Sequence, residues 1–492
     1  MSNKISDYQN SSFQYYNNLW IVLNDCYNED IKAKGETYLP KTSGMENDTK
    51  SGNKRYLAYK RRGNYFNNIL TTVTNSTNAI NRRPAIISEL PESLEYLTNK
   101  FNSDNEKMLD VLNNVYNEQM KLGRVGYLGD YIVDSKQFEA VEYKAPYILD
   151  FGFERRKGLK RVVYILLSET SKEINDDGVT KDVLKYRILG LDRNDNYFTV
   201  LVNEDNIEDI GKIKKFTAKD NNLDFNIEII NNESKYSHGD YEVLYPNVTG
   251  RMLHYIPFKI ANARDTKYDF SSPPLNNQSN LSISLYNASA NHEHLVYMQS
   301  PNLLLLKGVS EEDVKGMGGI DGILQTENEN ADGNYIGVDG SGLAESRASL
   351  GDLKNETVSF GTDVATKMTQ ESEKSLQSRI MLQTEKLKEI SVTGGNLIEF
   401  LLQTFSEWNG DHKSVYEKIK VKANTNFKTE KETADELEKM AGMWARGEIT
   451  DQTYYDFQFT NGYVTETFED WLLEILKKRL ENKEVDNKEV NE

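Results

Sequence analysis

"SSPPLNNQSNLSISLYNASANHEHLVYMQSPNLLLLKG", residues 271–308, opens on a proline pair, runs polar for most of its length and closes on four leucines. Its middle can be read in two ways. "LSISLY" (281–286) alternates as a strand would. Leu281, Leu285, Ala288, His292 and Leu295, however, recur at spacings of four and three, a narrow stripe with helical period. The length of that stripe predicts a helix, with Pro274 tolerated at a first helical position and Pro301 ending it. From Leu281 to Met298 such a helix would be roughly 27 Å long.

Reading toward the C-terminus, residues 302–342 form a glycine-rich excursion with eight acidic residues against two lysines, Lys307 and Lys315. A second helix is predicted from Leu343 to Val364, with Leu350, Leu353, Thr357 and Phe360 on one stripe. The polar break "ATKMTQES" (365–372) separates it from a long third helix, 373–408, carrying Leu376, Ile380, Leu387, Ile390, Leu397 and Leu401 in register. Gly394 and Gly395 in its middle are a common cause of a kink. "KVKANTNFK" (420–428) reads as a strand, and helices are expected again from residue 429.

Toward the N-terminus the pattern changes twice. From Tyr8 to Val133 it is mostly helical. Phe13, Tyr16, Trp20 and Leu23 share one face; "RRGNYFNNILTTVTNSTNAI" (61–80) repeats the spacing with Tyr65, Ile69 and Val73; Leu109, Leu112, Val115 and Met120 do so before Gly123. The loop "YLPKTSGM" (38–45) interrupts them. Then "RVVYILLSE" (161–169), "VLKYRILGL" (183–191) and "NYFTVLVNE" (196–204) switch to period two, with weaker candidates in "FNIEIINN" and "DYEVLYPNVTG". A helical part, an antiparallel β-rich module and further helices make the class α+β.

Composition narrows the function. The chain has 492 residues, room for several domains, and a formal charge of −18. So acidic a surface does not hold DNA by counterion release, although it lets DNA pass without sticking. The lone cysteine, Cys26, cannot close an internal disulfide. No charged start leads into an apolar run, so no secretory signal is expected, and no run of about 18 apolar residues predicts a membrane span.

Motifs that would carry chemistry fail one by one. His292 and His294 stand two apart, so on a helix their rings diverge by about 200° and cannot share an ion. "NENADGNYIGVD" (328–339) places Asn328, Asn330, Asp332, Gly333 and Asp339 at calcium-loop positions, but with the wrong residue types at both ends. It reads first as a turn-rich acidic loop. "GMGGIDG" and "GVDGSG" lack the spacing and the lysine of a phosphate cradle. "YKRRGNY" (59–65), basic and flanked by tyrosines, reads on an acidic protein as an internal ion-pairing surface rather than a nucleic-acid site. No catalytic constellation and no cofactor are implied.

The ordered set of segments is similar to one family. "YLPKTSGM", "RRGNYFNNILTTVTNSTNAINRRP" (61–84), "LGRVGYLGDY" (122–131), "APYILDF" (145–151), "LKYRILGLD", residues 254–308, "GNYIGVDGSGLAESRASLGDLKNE" (333–356) and "WARGEITDQTYYDF" (444–457) cover nearly the whole chain. Together they resemble the portal, or head–tail connector, proteins of tailed bacteriophages, in the subset long described as a domain of unknown function. The departure is composition, rich here in Asn, Tyr and acids, with Gly351 and Gly361 weakening the second helix.

The resemblance implies a wing over 1–274, stem helix 1 over 275–299, a clip over 300–342, stem helix 2 over 343–364 and a tunnel loop over 365–372. It implies a long kinked wing helix and strand over 373–428 and a crown over 429–492. Lys367, Met368, Thr369 and Gln370 would then line the DNA channel, and Glu311, Glu312, Asp313 and Lys315 would meet the packaging motor. The implied partners are other copies in a ring of about twelve, the terminase large subunit, head–tail adaptor or tail proteins, major capsid and scaffold proteins, and double-stranded DNA in transit. The implied place is the capsid vertex of the virion, after assembly in the host bacterial cytoplasm. The competing reading is a phage-encoded enzyme or nucleic-acid-processing protein of α+β fold.

Overall fold

The structure, a computed structural model, describes residues 4–133, 135–174, 178–217, 226–230, 233–238, 241–299, 303–310, 330–336, 341–360, 373–425, 427, 434–460, 463–464 and 468–477. The expected α+β class holds: helices at both ends of the chain enclose antiparallel sheets.

The first helix, α1 (Phe13–Tyr27), buries Phe13, Trp20 and Leu23 as the spacing predicts. A single turn, α2 (Ser43–Glu46), leads into α3 (Gly52–Arg62) and α4 (Asn68–Asn81). The periodicity of residues 61–80 predicts one helix there, but the chain breaks at Gly63, whose backbone is extended. Tyr65, expected on the helix, lies in the break and donates a hydrogen bond to the Cys26 carbonyl at 2.8 Å. The next helix, α5 (Met108–Leu122), ends where Gly123 adopts a left-handed φ of 83°. Its buried side is Met108, Val111, Leu112 and Val115, so Leu109, expected inside, is 43% exposed.

A short β1 (Ile86–Ser88) precedes α5. After it, β2 (Arg124–Ile132), β3 (Gln137–Lys144) and the later β13 (Phe258–Asn262) form a sheet in the order β13-β2-β3. The larger sheet uses β4 (Ile148–Arg156), β5 (Leu159–Ile174), β6 (Thr180–Leu191), β7 (Tyr197–Asn203), β8 (Asn226–Ile230), β9 (Glu233–His238) and β10 (Tyr241–Tyr245), ordered β4-β5-β6-β7-β10-β9-β8. All three strong strand candidates and both weak ones fall in it, with Ile165 opposite Leu189 and Ile188 opposite Val200. A small pair, β11 (Asn247–Val248) with β12 (Arg251–Met252), follows, and α6 (Glu208–Thr217) packs on β5 and β6. Arg187 on β6 pairs with Glu169 on β5 at 2.5 Å and reaches Asp130 on β2 at 3.5 Å, tying the two sheets together.

The helix pair follows: α7 (Asn276–Gln299), strands β14 (Leu303–Lys307) and β15 (Asp332–Ile336), then α8 (Ser341–Phe360). Beyond it α9 (Glu373–Asn409) lies against β13, β2 and α5, burying Leu387, Ile390, Leu397 and Leu401 as expected. The helix is continuous through Gly394 and Gly395. Their use here is room: a Cβ on Gly394 would stand 2.6 Å from the Tyr116 ring of α5. After the single turn α10 (Lys413–Tyr416), the expected strand of nine residues shrinks to β16 (Lys420–Lys422), which pairs with β1. The last helices are α11 (Ala434–Ala445), α12 (Asp451–Thr460) and α13 (468–477). Stacking of Trp444 on Tyr454, 4.6 Å between centroids, joins α11 to α12, and Trp471 closes the cluster.

Candidate functional site

The stretch 276–299 is a helix, yet it does not bury the stripe that predicts it. Its inward side is Gln278, Ser279, Ser282, Leu285, Tyr286, Ser289 and Ala290, and only Leu285 belongs to the predicted set. Leu295 is 42% exposed. The physical reason lies in the neighbours. Small side chains let α7 approach the N-terminal helices closely, and three hydrogen bonds cross the contact. Gln278 donates to Thr72 Oγ1 at 2.7 Å, the Asn64 amide donates to Ser289 Oγ at 3.1 Å, and Tyr59 donates to Asn291 Oδ1 at 2.6 Å. Gly63 fits against Tyr286 and Ala290 where any side chain would collide. A pattern built from apolar residues alone cannot see this contact. The signal that could have found it is Gly63 inside "KRRGNY".

The two histidines face apart, as their spacing requires. His292 Nδ1 lies 3.1 Å from Ser346 Oγ of α8, whereas the His294 ring meets Tyr59 of α3 edge-on. Burial, with Arg62 and Arg55 nearby, holds the His294 pKa below its ordinary value. Among the described residues no group of three His, Cys, Asp or Glu side chains could hold a metal ion.

The chain leaves α7 into β14 and returns through β15, with Leu303 opposite Ile336 and Lys307 opposite Asp332. This overturns the calcium-loop alternative, because Asp332 and Gly333, its fifth and sixth positions, are extended strand residues paired with Lys307 and Leu306. It also gives the excursion a two-stranded stem. On α8 the described part of the expected stripe is only half-covered: Leu343, Leu350 and Leu353 are intermediate and Thr357 is buried, while the Phe360 side chain and Val364 lie outside the described residues. The site residues expected at 311–315 and 367–370 lie outside the described residues.

The basic segment 59–65 corrects another expectation. Its described partners are not carboxylates: Tyr59 bonds Asn291, Tyr65 bonds a carbonyl, and the Arg62 guanidinium stacks 3.5 Å from the ring centroid of Tyr297 at the end of α7. Two ionic clusters elsewhere behave as structural pairs. Lys214 on α6 meets Asp150 on β4 at 2.5 Å, and Arg156 and Lys157 converge on Asp195. Cys26 is buried, which pushes its thiol pKa up to about 11 and makes it a poor nucleophile.

No protein-family model matches this chain, and no curated protein sequence matches it either. Among solved structures it is similar to a chain of the virion of a native gene transfer agent particle, at 10% identity and a TM-score of 0.36, over 79% of this chain and 88% of that one. It is similar also to a chain of the neck of the native particle computed with C12 symmetry, at 10% identity and a TM-score of 0.35, over 80% and 89%. Likeness at that level decides neither the fold nor the role of this chain. No helix among the described residues is long and apolar enough to cross a membrane.

Proposed function

We propose that this chain is a portal subunit, one of a closed ring through which double-stranded DNA enters and leaves a phage capsid. The observation that carries the reading is the helix–ribbon–helix unit: α7 and α8 lie side by side and are joined through the β14–β15 ribbon. Among the described residues neither helix is covered along its whole length. Leu295, Val296 and Tyr297 stand exposed at the end of α7, and most of α8 is open. Helices with that much uncovered surface suit a rod packed among identical rods.

In this reading α7 and α8 are the stem, 300–342 the clip and 365–372 the tunnel loop. Residues 1–274 and 373–428 form the wing, and 429–492 the crown. Glu311, Glu312, Asp313 and Lys315 would dock the terminase large subunit and later an adaptor or tail protein, while the wing and crown meet capsid and scaffold proteins. The role is structural, with no catalytic step, at the capsid vertex of the virion.

A ring of about twelve such chains carries roughly 200 negative charges, which repel duplex DNA and leave it free to slide. Lys367, beside Met368, Thr369 and Gln370, is then the one cation brought to the constriction by every tunnel loop. Native mass spectrometry of the purified chain tests the reading. A closed species of about twelve subunits is expected; a chain monomeric at every concentration, with no rings in electron micrographs, would end it.

A further inference from the structure

The layer formed by α3, α7 and α8 carries opposite charges on its two outer sides. α7 lies in the middle, because His294 faces α3 and His292, two residues earlier and so about 200° round the helix, faces α8. α3 buries Tyr56, Tyr59 and the adjoining Gly63, which leaves Lys54, Leu57 and Arg61 on its opposite side. Leu57 is 55% exposed. Lys54 and Arg61 make no ion pair among the described residues, and no acidic residue occurs between 49 and 88 to neutralise them.

On α8 the covered side is Leu343, Leu350, Leu353 and Thr357. About 120° away stand Glu345 and Asp352, both exposed, with Glu356 one turn further along the same line. Arg347 and Lys354 point to the other flank, where Lys354 lies 4.7 Å from the ring centroid of Phe66.

We propose that α3 of one copy docks on α8 of a second copy, with Lys54 and Arg61 meeting Glu345 and Asp352. Each pair is seven residues apart, so the charges repeat at about 10 Å on both helices and match in one register. α7 stands between the two stripes and keeps them from pairing within one chain. The exposed Leu57 between the two cations favours a protein surface over a nucleic-acid backbone, which offers phosphates but no apolar contact there. Every copy supplies both halves, so the contact is heterologous and runs head to tail. The inference deepens the ring reading and depends on it for closure only.

Two full-length double variants test it, Lys54→Glu with Arg61→Glu, and Glu345→Lys with Asp352→Lys. All four positions are exposed, so both variants should melt as the wild type does. Each alone should associate at least about tenfold more weakly than wild type, because every contact becomes like-charged. An equimolar mixture should assemble again, by strict alternation, and wild-type association should weaken as salt rises.

Wild-type assembly by either variant alone overturns the proposal, as does a mixture of folded variants that stays apart. Loss of duplex-DNA binding by the first variant with assembly unchanged also overturns it, in favour of a nucleic-acid surface. A wild type that associates and obeys the mixing rule but never closes overturns the ring reading alone. A ring indifferent to both variants overturns this interface alone, and a strictly monomeric chain overturns both.

Discussion

Gly63 and Ala290 come so close that a β-carbon at position 63 would stand 2.8 Å from Ala290 Cβ, with the Tyr286 ring at 2.9 Å. This contact seats α7 on α3. The backbone there is extended, at φ −61° and ψ 132°, so alanine is allowed conformationally and only the space is lacking. Gly63→Ala should therefore cost about 1–3 kcal/mol of stability in urea unfolding. Gly44→Ala, with nothing within 4 Å of its new methyl, should be neutral or slightly stabilising.

His294 gives a pH dependence. Burial first, then Arg62 and Arg55, hold its folded pKa below the ordinary value, so the folded state favours the neutral ring. The unfolded chain takes up the proton near pH 6.5 while the folded one resists, and stability falls as pH drops through that region. His294→Gln should lose less melting temperature than wild type between about pH 7.5 and about pH 5.5. An identical pH response in the two proteins would show that His294 contributes nothing.

Cys26 should be silent to thiol reagents. With its pKa pushed up to about 11 by burial, almost no thiolate exists at neutral pH. An aromatic disulfide reagent should release no chromophore from the native protein over minutes, and one equivalent after denaturation.

The Lys214–Asp150 pair is largely hidden, with side chains 16% and 11% exposed. Lys214→Met should leave a buried carboxylate and cost about 3 kcal/mol. Adding Asp150→Asn should recover part of the loss, because the amide keeps an acceptor for the Tyr164 hydroxyl. Chemical denaturation of both variants checks the sign of the coupling.

The roles proposed for the clip and tunnel loop are separable. Reversing Glu311, Glu312 and Asp313 to lysine should leave ring formation intact and weaken DNA packaging. Lys367→Glu should leave packaging able to start but increase the loss of packaged DNA. Equal DNA retention in variant and wild-type heads would rule out a phosphate contact by Lys367.

The strands of the large sheet were readable because each is half-buried and alternates, as in "VLKYRILGL". The lengths of α7 and α9 were readable from sustained helical spacing. The face of α7 was not, because close approach to the N-terminal helices buries the small Ser279, Ser282 and Ser289 there, and of these Ser289 takes its hydrogen bond from Asn64 across the contact. Leu109 was misplaced because a small shift in register turned it outward in favour of Met108 and Val111. Nor could the sequence show that Arg62 would rest on Tyr297, more than two hundred residues away, instead of on a carboxylate.

The pairing of β1 with β16 has a consequence for synthesis. Ile86 lies opposite Lys422, Asn424 donates to the Ile80 carbonyl, and Gln119 donates to Thr393. These partners are separated by 274 to 344 residues. At about 5–20 residues per second, α4 and α5 emerge from the ribosome roughly 15–60 seconds before the groups that complete their packing. A nascent chain must therefore be kept from aggregating through most of its translation. Messages cut short before Thr393 would yield chains in which the side of α5 that α9 covers has nothing to close on, fit only for proteolysis.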